Sequence, residues 1–436
     1  MSTQINQAIN QFGENVNIGV LVEDLETSQV LYQLNADRYF APASNQKLLT
    51  AWAALNVLGP TFRYQTDVYY QNKNIYFTFT GDPTLTLDEL NQLITGLAEK
   101  GIHHISGDIV IDDTALDNKS MMPGAAWDDG QYCYGAPVGA LILDHNCVTA
   151  ELKADTTLGK PAHLEVKHLP QFIGFVNDAI TGDPAEARCK LQIHFKDNHY
   201  IVSGCIKTTD PVAVLSMSIV DPRQNIESAL RYLLKKNNIT FSGKWHYQKN
   251  TLNTKPIASV SSPAMRDLIA LMLKPSDNLI ANAIFKTIGA ARAKQPGSWD
   301  NGALALHDFF QNTMQMDLPL SALTDGAGAS RYIYHQPLTM IALLKQAYHS
   351  PYAEMYIHAL PVAGVDGTLK NRMKEAGLAH WVFAKTGSMT GVSTLSGFVM
   401  QPHQHPLVFS IAINGFVDAN SKYEALEDAL CKAMLR

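Results

Sequence analysis

Residues 44–58 read SNQKLLTAWAALNVL and stand between Ala41-Pro42-Ala43 and Gly59-Pro60. From Lys47 onward the apolar side chains recur at helical spacing. Leu48, Trp52 and Leu55 fall on one row, Leu49 and Ala53 on the next. Gly59-Pro60 ends the pattern, since proline has no N–H to carry a helix on. The spacing predicts a helix over 47–58 with Ser44 at its N-terminus. Lys47 then lies one turn on, on the same face as Ser44. A hydroxyl and an amine in that relation form a candidate nucleophile and base.

Upstream, residues 16–25 (VNIGVLVEDL) and 29–34 (QVLYQL) read as a β-hairpin around the polar turn Glu26-Thr27-Ser28. Downstream, residues 64–255 change character. Short strand-like runs at 67–70, 75–80, 108–112, 191–195 and 212–220 are punctuated by turn residues, with one helical segment at 87–100. Helical patterning returns at 263–273, is broken by Lys274-Pro275, and resumes over 279–292. Further helical stretches fall at 303–314 and 338–348. Residues 381–386 (WVFAKT), 393–400 and 406–414 (PLVFSIAIN) read as consecutive antiparallel strands. In the closing helix, 422–434, Tyr423, Leu426 and Leu430 form a stripe read as core-facing rather than as a membrane anchor.

The expected fold is therefore α+β. Residues 1–63 and 256–436 form one split domain, an antiparallel sheet with helices. Residues 64–255 interrupt it as a β-rich insertion of one or two domains, taken as two subdomains. A chain of 436 residues fits that count.

Two more short motifs accompany Ser44-x-x-Lys47: Ser276-Asp277-Asn278 in the break between helices, and Lys385-Thr386-Gly387 at a strand end. Average residue usage yields roughly one or two chance Ser-x-x-Lys matches in such a chain, but only about a tenth of a match for each of the others. A serine hydroxyl is a poor nucleophile near neutral pH and needs a base. Lys47 serves only when neutral, so its pKa must fall. Burial lowers it, and so does a second cation, for which Lys385 is the candidate. The helix start offers free N–H groups, and the Ser44 N–H with an edge N–H near Ser388 would form an oxyanion hole. Such donors are worth about 2.7–4 kcal/mol each in the transition state. Ser276 is placed to pass a proton between Lys47 and a leaving group. Asn278 suits a substrate amide and Lys47. Lys385 and Thr386 suit a terminal carboxylate, and Gly387 leaves room for substrate along the strand. Taken singly, Ser44 reads as an N-cap, Ser276-Asp277-Asn278 as a loop and cap, and Lys385 as a strand-end charge.

Composition sets outer limits. With 34 Lys and Arg against 40 Asp and Glu, the net charge of −6 argues against a broad nucleic-acid surface. No apolar run approaches the roughly 20 residues of a membrane span, leaving at most peripheral membrane association. Met1-Ser2-Thr3-Gln4 opens a polar segment, so no signal peptide is visible, and the chain is either cytosolic or a mature form. Cys133 with Cys147 and Cys189 with Cys205 would suit two local disulfides; five buried thiols is the alternative. No zinc spacing is present, and the chemistry calls for no metal or cofactor.

The three motifs in this order resemble those of serine β-lactamases and penicillin-binding proteins. Nearly the whole chain resembles the low-molecular-mass class C penicillin-binding proteins, the penicillin-binding protein 4 type, peptidase family S13. Gly81-Asp82-Pro83-Thr84-Leu85, Ala136-Pro137-Val138-Gly139-Ala140 with Asn146-Cys147, residues 325–331 (DGAGASR) and residues 364–369 (GVDGTL) carry that resemblance. So does the gap from Ser44 to Ser276, far longer than in compact β-lactamases. The resemblance implies D-alanyl-D-alanine carboxypeptidase and endopeptidase action on periplasmic peptidoglycan peptides, with β-lactam antibiotics as covalent inhibitors acylating Ser44. It also points to a pocket for the free end of a diaminopimelate side chain. The candidates are Asp129 and Arg331 with Tyr134 on the wall, against the readings of a surface acid, a loop-bracing arginine and a packed tyrosine. Ala327 and Ala329 depart from the family's usual serine and leucine. The alternatives are a β-lactamase, which needs a second base for fast deacylation, and a non-turnover sensor of β-lactams or peptidoglycan.

Overall fold

The computed structural model describes residues 1–12, 16–167, 173–196, 198–319, 323–374 and 378–435. They form two compact units. The first comprises Met1–Arg63, Met122–Ala126 and Pro263–Arg436; the second comprises Tyr64–Met121 and Trp127–Ser262. The boundary expected at 255/256 moves to Pro263, because Ala258–Ser261 pairs as a strand with Gln65–Gln71 of the second unit. The short stretch Met122–Ala126 joins the first unit: Arg331 N–H donates to Gly124 O at 2.9 Å.

The first unit is built on a five-stranded antiparallel sheet. Its order is Val382–Met389, Val392–Val399, Leu407–Asn414, Asn17–Asp24, Val30–Leu34. The hairpin at the start of the chain thus closes onto the three strands near its end. Alternation along these strands buries Val20, Val22, Ala384, Leu395, Phe409 and Ile411 in one cluster with Tyr423, Leu426 and Leu430 of the C-terminal helix Asn420–Ala433. Each fully buried side chain of this kind contributes about 1.5–3 kcal/mol. The stripe read as core-facing is indeed in the core. The N-terminal helix Ser2–Asn10, which the polar opening did not suggest, buries Ile5 in the same cluster. Helices Gln46–Val57, Met265–Leu273, Asn278–Ala293, Trp299–Asp308, Pro337–Tyr348 and Ala353–His358 also belong to the unit.

Among its described residues the second unit holds two separate cores. In one, helices Leu87–Glu99 and Pro222–Lys236 cover a five-stranded sheet, burying Phe77, Leu90, Leu97, Ile226 and Leu230 together. The second helix was missed in a segment read as β-rich, although its start is written in the sequence. Asp221 caps it, accepting from Gln224 N–H at 3.0 Å, and Pro222 occupies the first turn. The other core joins Val148, Leu152, Tyr200, Val202 and Met217 across small sheets. Disulfides link Cys133 to Cys147 and Cys189 to Cys205, both in this unit, and Cys431 is a buried free thiol in the other. Among the described residues no helix is long and apolar enough to cross a membrane.

Candidate active site

The first unit brings the three motifs together. A 3-10 turn, Ala43–Asn45, leads into the helix Gln46–Val57, so Ser44 stands in that turn, two residues before the α-helix proper. Ser44 caps neither segment, since Pro42 and Asn45 hold the two N-cap positions. Its hydroxyl instead accepts from Lys47 Nζ at 2.8 Å. The preceding residue, Ala43, is buried with φ 45°, a left-handed conformation costly for a residue with a Cβ. The turn that presents the serine is therefore held in place by its surroundings.

Lys47 is fully buried. Its ammonium also donates to Asn278 Oδ1 at 2.7 Å and to Ala327 O at 3.0 Å. Burial lowers its pKa to about 7, while Asp325 and Asp277 pull the other way. At neutral pH a substantial fraction of Lys47 is thus the free amine that a base requires.

Asn278, expected in the helix break, is instead the first residue of the helix Asn278–Ala293, directly after the break that follows Met265–Leu273. Asp277 caps the second helix through Ile280 N–H at 2.8 Å. Ser276 holds a left-handed φ of 67° in that break and is half-buried. It makes no hydrogen bond to Lys47: the acceptors at Nζ are Ser44, Asn278 and Ala327.

The third motif lies on the edge strand Val382–Met389. Lys385 is fully buried, and its ammonium donates to Thr386 O at 2.9 Å. Burial, with the Lys47 charge added, holds Lys385 well below the usual lysine value. Burial is the largest cause of the low value at both lysines, and mutual repulsion of the two ammonium groups adds to it at Lys385. Gly387 lets the strand run close to the serine turn. A Cβ there would stand 2.7 Å from Pro42 O and 3.0 Å from Ser44 N. Ala384 N–H points outward, to Pro361 O at 3.0 Å, and period-two alternation sets the Thr386 and Ser388 N–H groups on the same outer edge. Thr386 Oγ1 donates to Thr368 Oγ1 at 2.7 Å, and Ser388 Oγ accepts from Asn420 Nδ2 at 2.5 Å.

Further residues complete the site. Asp325, fully buried, accepts from Ala327, Gly328 and Ser330 N–H at 2.7, 2.5 and 2.7 Å. That clamp shapes the loop whose Ala327 carbonyl holds Lys47. Gln46, inside the first motif, donates to Asp325 O at 3.2 Å and accepts from buried His335 at 2.5 Å. Burial lowers His335 to about 4, so it is neutral and donates through Nε2. Asn45 bonds Thr394, which in turn donates to Pro42 O at 2.8 Å. The 325–331 segment was visible in the sequence. His335 was not, because only its bridge pairing with Phe40 brings it to Gln46.

In the second unit Tyr134 Oη donates to Asp129 Oδ1 at 2.9 Å. Burial and then this carboxylate push the phenol's pKa upward. Arg331 is an exposed residue of the first unit.

A family model for D-Ala-D-Ala carboxypeptidase 3 (S13) matches residues 1–433. The chain belongs to this family. It is accordingly a serine-type D-Ala-D-Ala carboxypeptidase, a hydrolase. The S13 assignment agrees with individual relatives. The chain is 29% identical over 425 residues to the D-alanyl-D-alanine carboxypeptidase DacB of Haemophilus influenzae, covering 94% of this chain and 88% of that protein. It is 30% identical to the D-alanyl-D-alanine carboxypeptidase of an Actinomadura species, over 91% and 77% of the two chains. The crystal structure of penicillin binding protein 4 from Haemophilus influenzae superposes with a TM-score of 0.89 at 29% identity, covering 99% of both chains. The S13 fold is thus confirmed for both units' elements.

Proposed function

We propose that Ser44 is the nucleophile of a D-alanyl-D-alanine carboxypeptidase and endopeptidase that cleaves peptidoglycan stem peptides and cross-links. The observation that carries this reading is the 2.8 Å contact between Ser44 Oγ and a buried Lys47 whose pKa lies near 7. Lys47 Nζ takes the hydroxyl proton as Oγ bonds the penultimate D-alanine carbonyl carbon. The oxyanion that forms is met by the N–H groups of Ser44 and Ser388. Collapse breaks the C–N bond, and the proton passes through Ser276 to the departing amine. Water then attacks the acyl-enzyme, giving its proton back through Lys47, and the free carboxylate leaves as Ser44 regains its hydrogen. Asn278 holds both the substrate amide and Lys47.

The leaving residue ends in a carboxylate. Lys385 and Thr386 receive it, and a bound anion there favours the charged form of Lys385. The stem lies along the strand beside Gly387. By resemblance, Asp129 with its partner Tyr134 in the second unit, and separately Arg331 in the first, are the candidates for reading a diaminopimelate side chain. Asp129 suits its ammonium and Arg331 its carboxylate. Penicillins acylate Ser44 by the same attack, with the opened ring remaining attached. The enzyme works in the periplasm, a reading supported by its two disulfides, which persist in oxidising compartments. The split peptidase domain with its inserted module is the unit that acts.

Muropeptide digestion tests the proposal. Release of D-alanine from pentapeptides and conversion of cross-linked dimers to monomers are expected. A folded protein that turns over neither substrate would refute it. Substituting Asp129→Ala or Arg331→Ala is expected to lower kcat/KM on diaminopimelate-containing peptides and to spare simple D-Ala-D-Ala peptides.

A further inference from the structure

The 364–369 segment (GVDGTL) has no part in the chemistry above, yet it places a hydroxyl against the third motif. Thr368 sits in the short 3-10 turn Gly367–Leu369 and is exposed. Its Oγ1 accepts the Thr386 hydroxyl proton at 2.7 Å, the one hydrogen bond that either hydroxyl makes among the described residues. Two hydroxyls sharing one hydrogen leave a second hydrogen to donate. Here that hydrogen belongs to Thr368.

The turn is fastened in place. Lys274 donates to Asp366 Oδ2 at 2.6 Å and to Leu360 O at 2.9 Å, and Asp366 Oδ1 accepts from Val362 N–H at 3.0 Å. Thr368 N–H donates to Lys274 O at 3.0 Å. Gly367 takes φ 57°, and a Cβ on it would lie 2.7 Å from that same Lys274 carbonyl. Lys274 lies two residues before Ser276, so the turn carrying Thr368 is tied to the turn carrying the second motif.

We propose that Thr368 is a substrate-binding residue, the second hydroxyl of the subsite for the substrate's terminal carboxylate. Its free hydrogen is donated to one carboxylate oxygen while its own oxygen holds the Thr386 hydroxyl in register. A carboxylate accepts only, so it matches a pair with hydrogens to give beside the Lys385 ammonium. A terminal amide is uncharged and offers one acceptor oxygen in place of two, so it gains less from the pair and from the Lys385 ammonium. This inference rests on the reading of Lys385 and Thr386 as the carboxylate subsite.

The experiment uses two acyl-D-alanyl thioesters that differ only in the leaving group, one ending in a carboxylate and the other in the corresponding amide. Thr368→Val is expected to raise KM for the acid about tenfold with kcat largely kept, the size of one lost hydrogen bond to a charged group, and to leave the amide unchanged. Thr368→Ser is expected to restore the acid. Thr386→Val should lose the acid preference as well, and adding Thr368→Val to it should cost little more. If wild-type enzyme or Thr386→Val shows no acid-dependent effect, the carboxylate-subsite reading itself fails. If Thr386→Val loses the preference while Thr368→Val keeps it, or loses acid and amide alike, the inference about Thr368 is overturned. Thr368→Ala serves as the second variant if the valine variant does not fold.

Discussion

Lys47 Nζ lies 2.8 Å from Ser44 Oγ, one helical turn along, with no water-exposed surface on the lysine. The contact joins the proposed nucleophile to its proposed base, whose pKa burial has brought to about 7. Only the neutral amine accepts a proton. Acylation by a fluorescent penicillin is therefore expected to rise with pH through about 7 and level off above it. Ser44→Ala should abolish labelling with an unchanged melting temperature, and Lys47→Ala should slow it by roughly 10²–10⁴-fold. Retained labelling in Ser44→Ala would remove that serine as nucleophile.

Asp325 raises the Lys47 pKa through its charge and also orders the loop beneath it. Asp325→Asn removes the charge. The midpoint of the acylation profile is expected to move to lower pH. Loss of good acceptors for three buried N–H groups should cost about 1–3 kcal/mol of stability. Stopped-flow acylation across pH, with urea unfolding alongside, measures both; a midpoint that moves upward would contradict the assignment.

Gly387→Ala sets a methyl group against Pro42 O and Ser44 N, backbone atoms that cannot step aside cheaply. A loss of about 1–3 kcal/mol in stability is expected, as for overpacking elsewhere. The larger effect should fall on penicillin labelling, because the strand edge and the serine turn are pushed apart. Wild-type labelling in this variant would show that the close approach is not required.

His335 is buried and neutral, with a pKa of about 4 in the fold against about 6.5 in an unfolded chain. The unfolded chain takes up a proton first as pH falls. The stability due to the neutral ring is thus complete above about 6.5 and is lost between there and about 4, a change of roughly 3 kcal/mol. His335→Gln keeps an N–H for Gln46 but does not titrate. Urea unfolding at pH 7.5 and pH 4.5 is expected to show a smaller loss in the variant than in the wild type. Equal losses would mean that His335 does not set the acid limb.

The helix carrying Lys47 with Ser44 just before it, the helix break leading into Asn278 and the strand carrying Lys385 were all legible, because each rests on local periodicity and on glycine or proline punctuation. The helices Ser2–Asn10 and Pro222–Lys236 were overlooked in segments read as polar or β-rich. The end of the insertion was misplaced, since Ala258–Ser261 is a strand only by virtue of its distant partner Gln65–Gln71.

The sequence by itself determined which side chains are the candidates for the chemistry and that Lys47 follows Ser44 by one turn, for those are properties of short stretches of chain. Tertiary structure alone decided that Lys47 is buried enough to lose its proton near neutral pH, that Ser44 bonds Lys47 rather than capping its helix, and that the two lysines are buried close enough to repel. It also decided that His335 and Thr368 stand beside motifs far away in the chain. Desolvation and long-range contact depend on what the rest of the fold lays over a residue, and no local pattern encodes that.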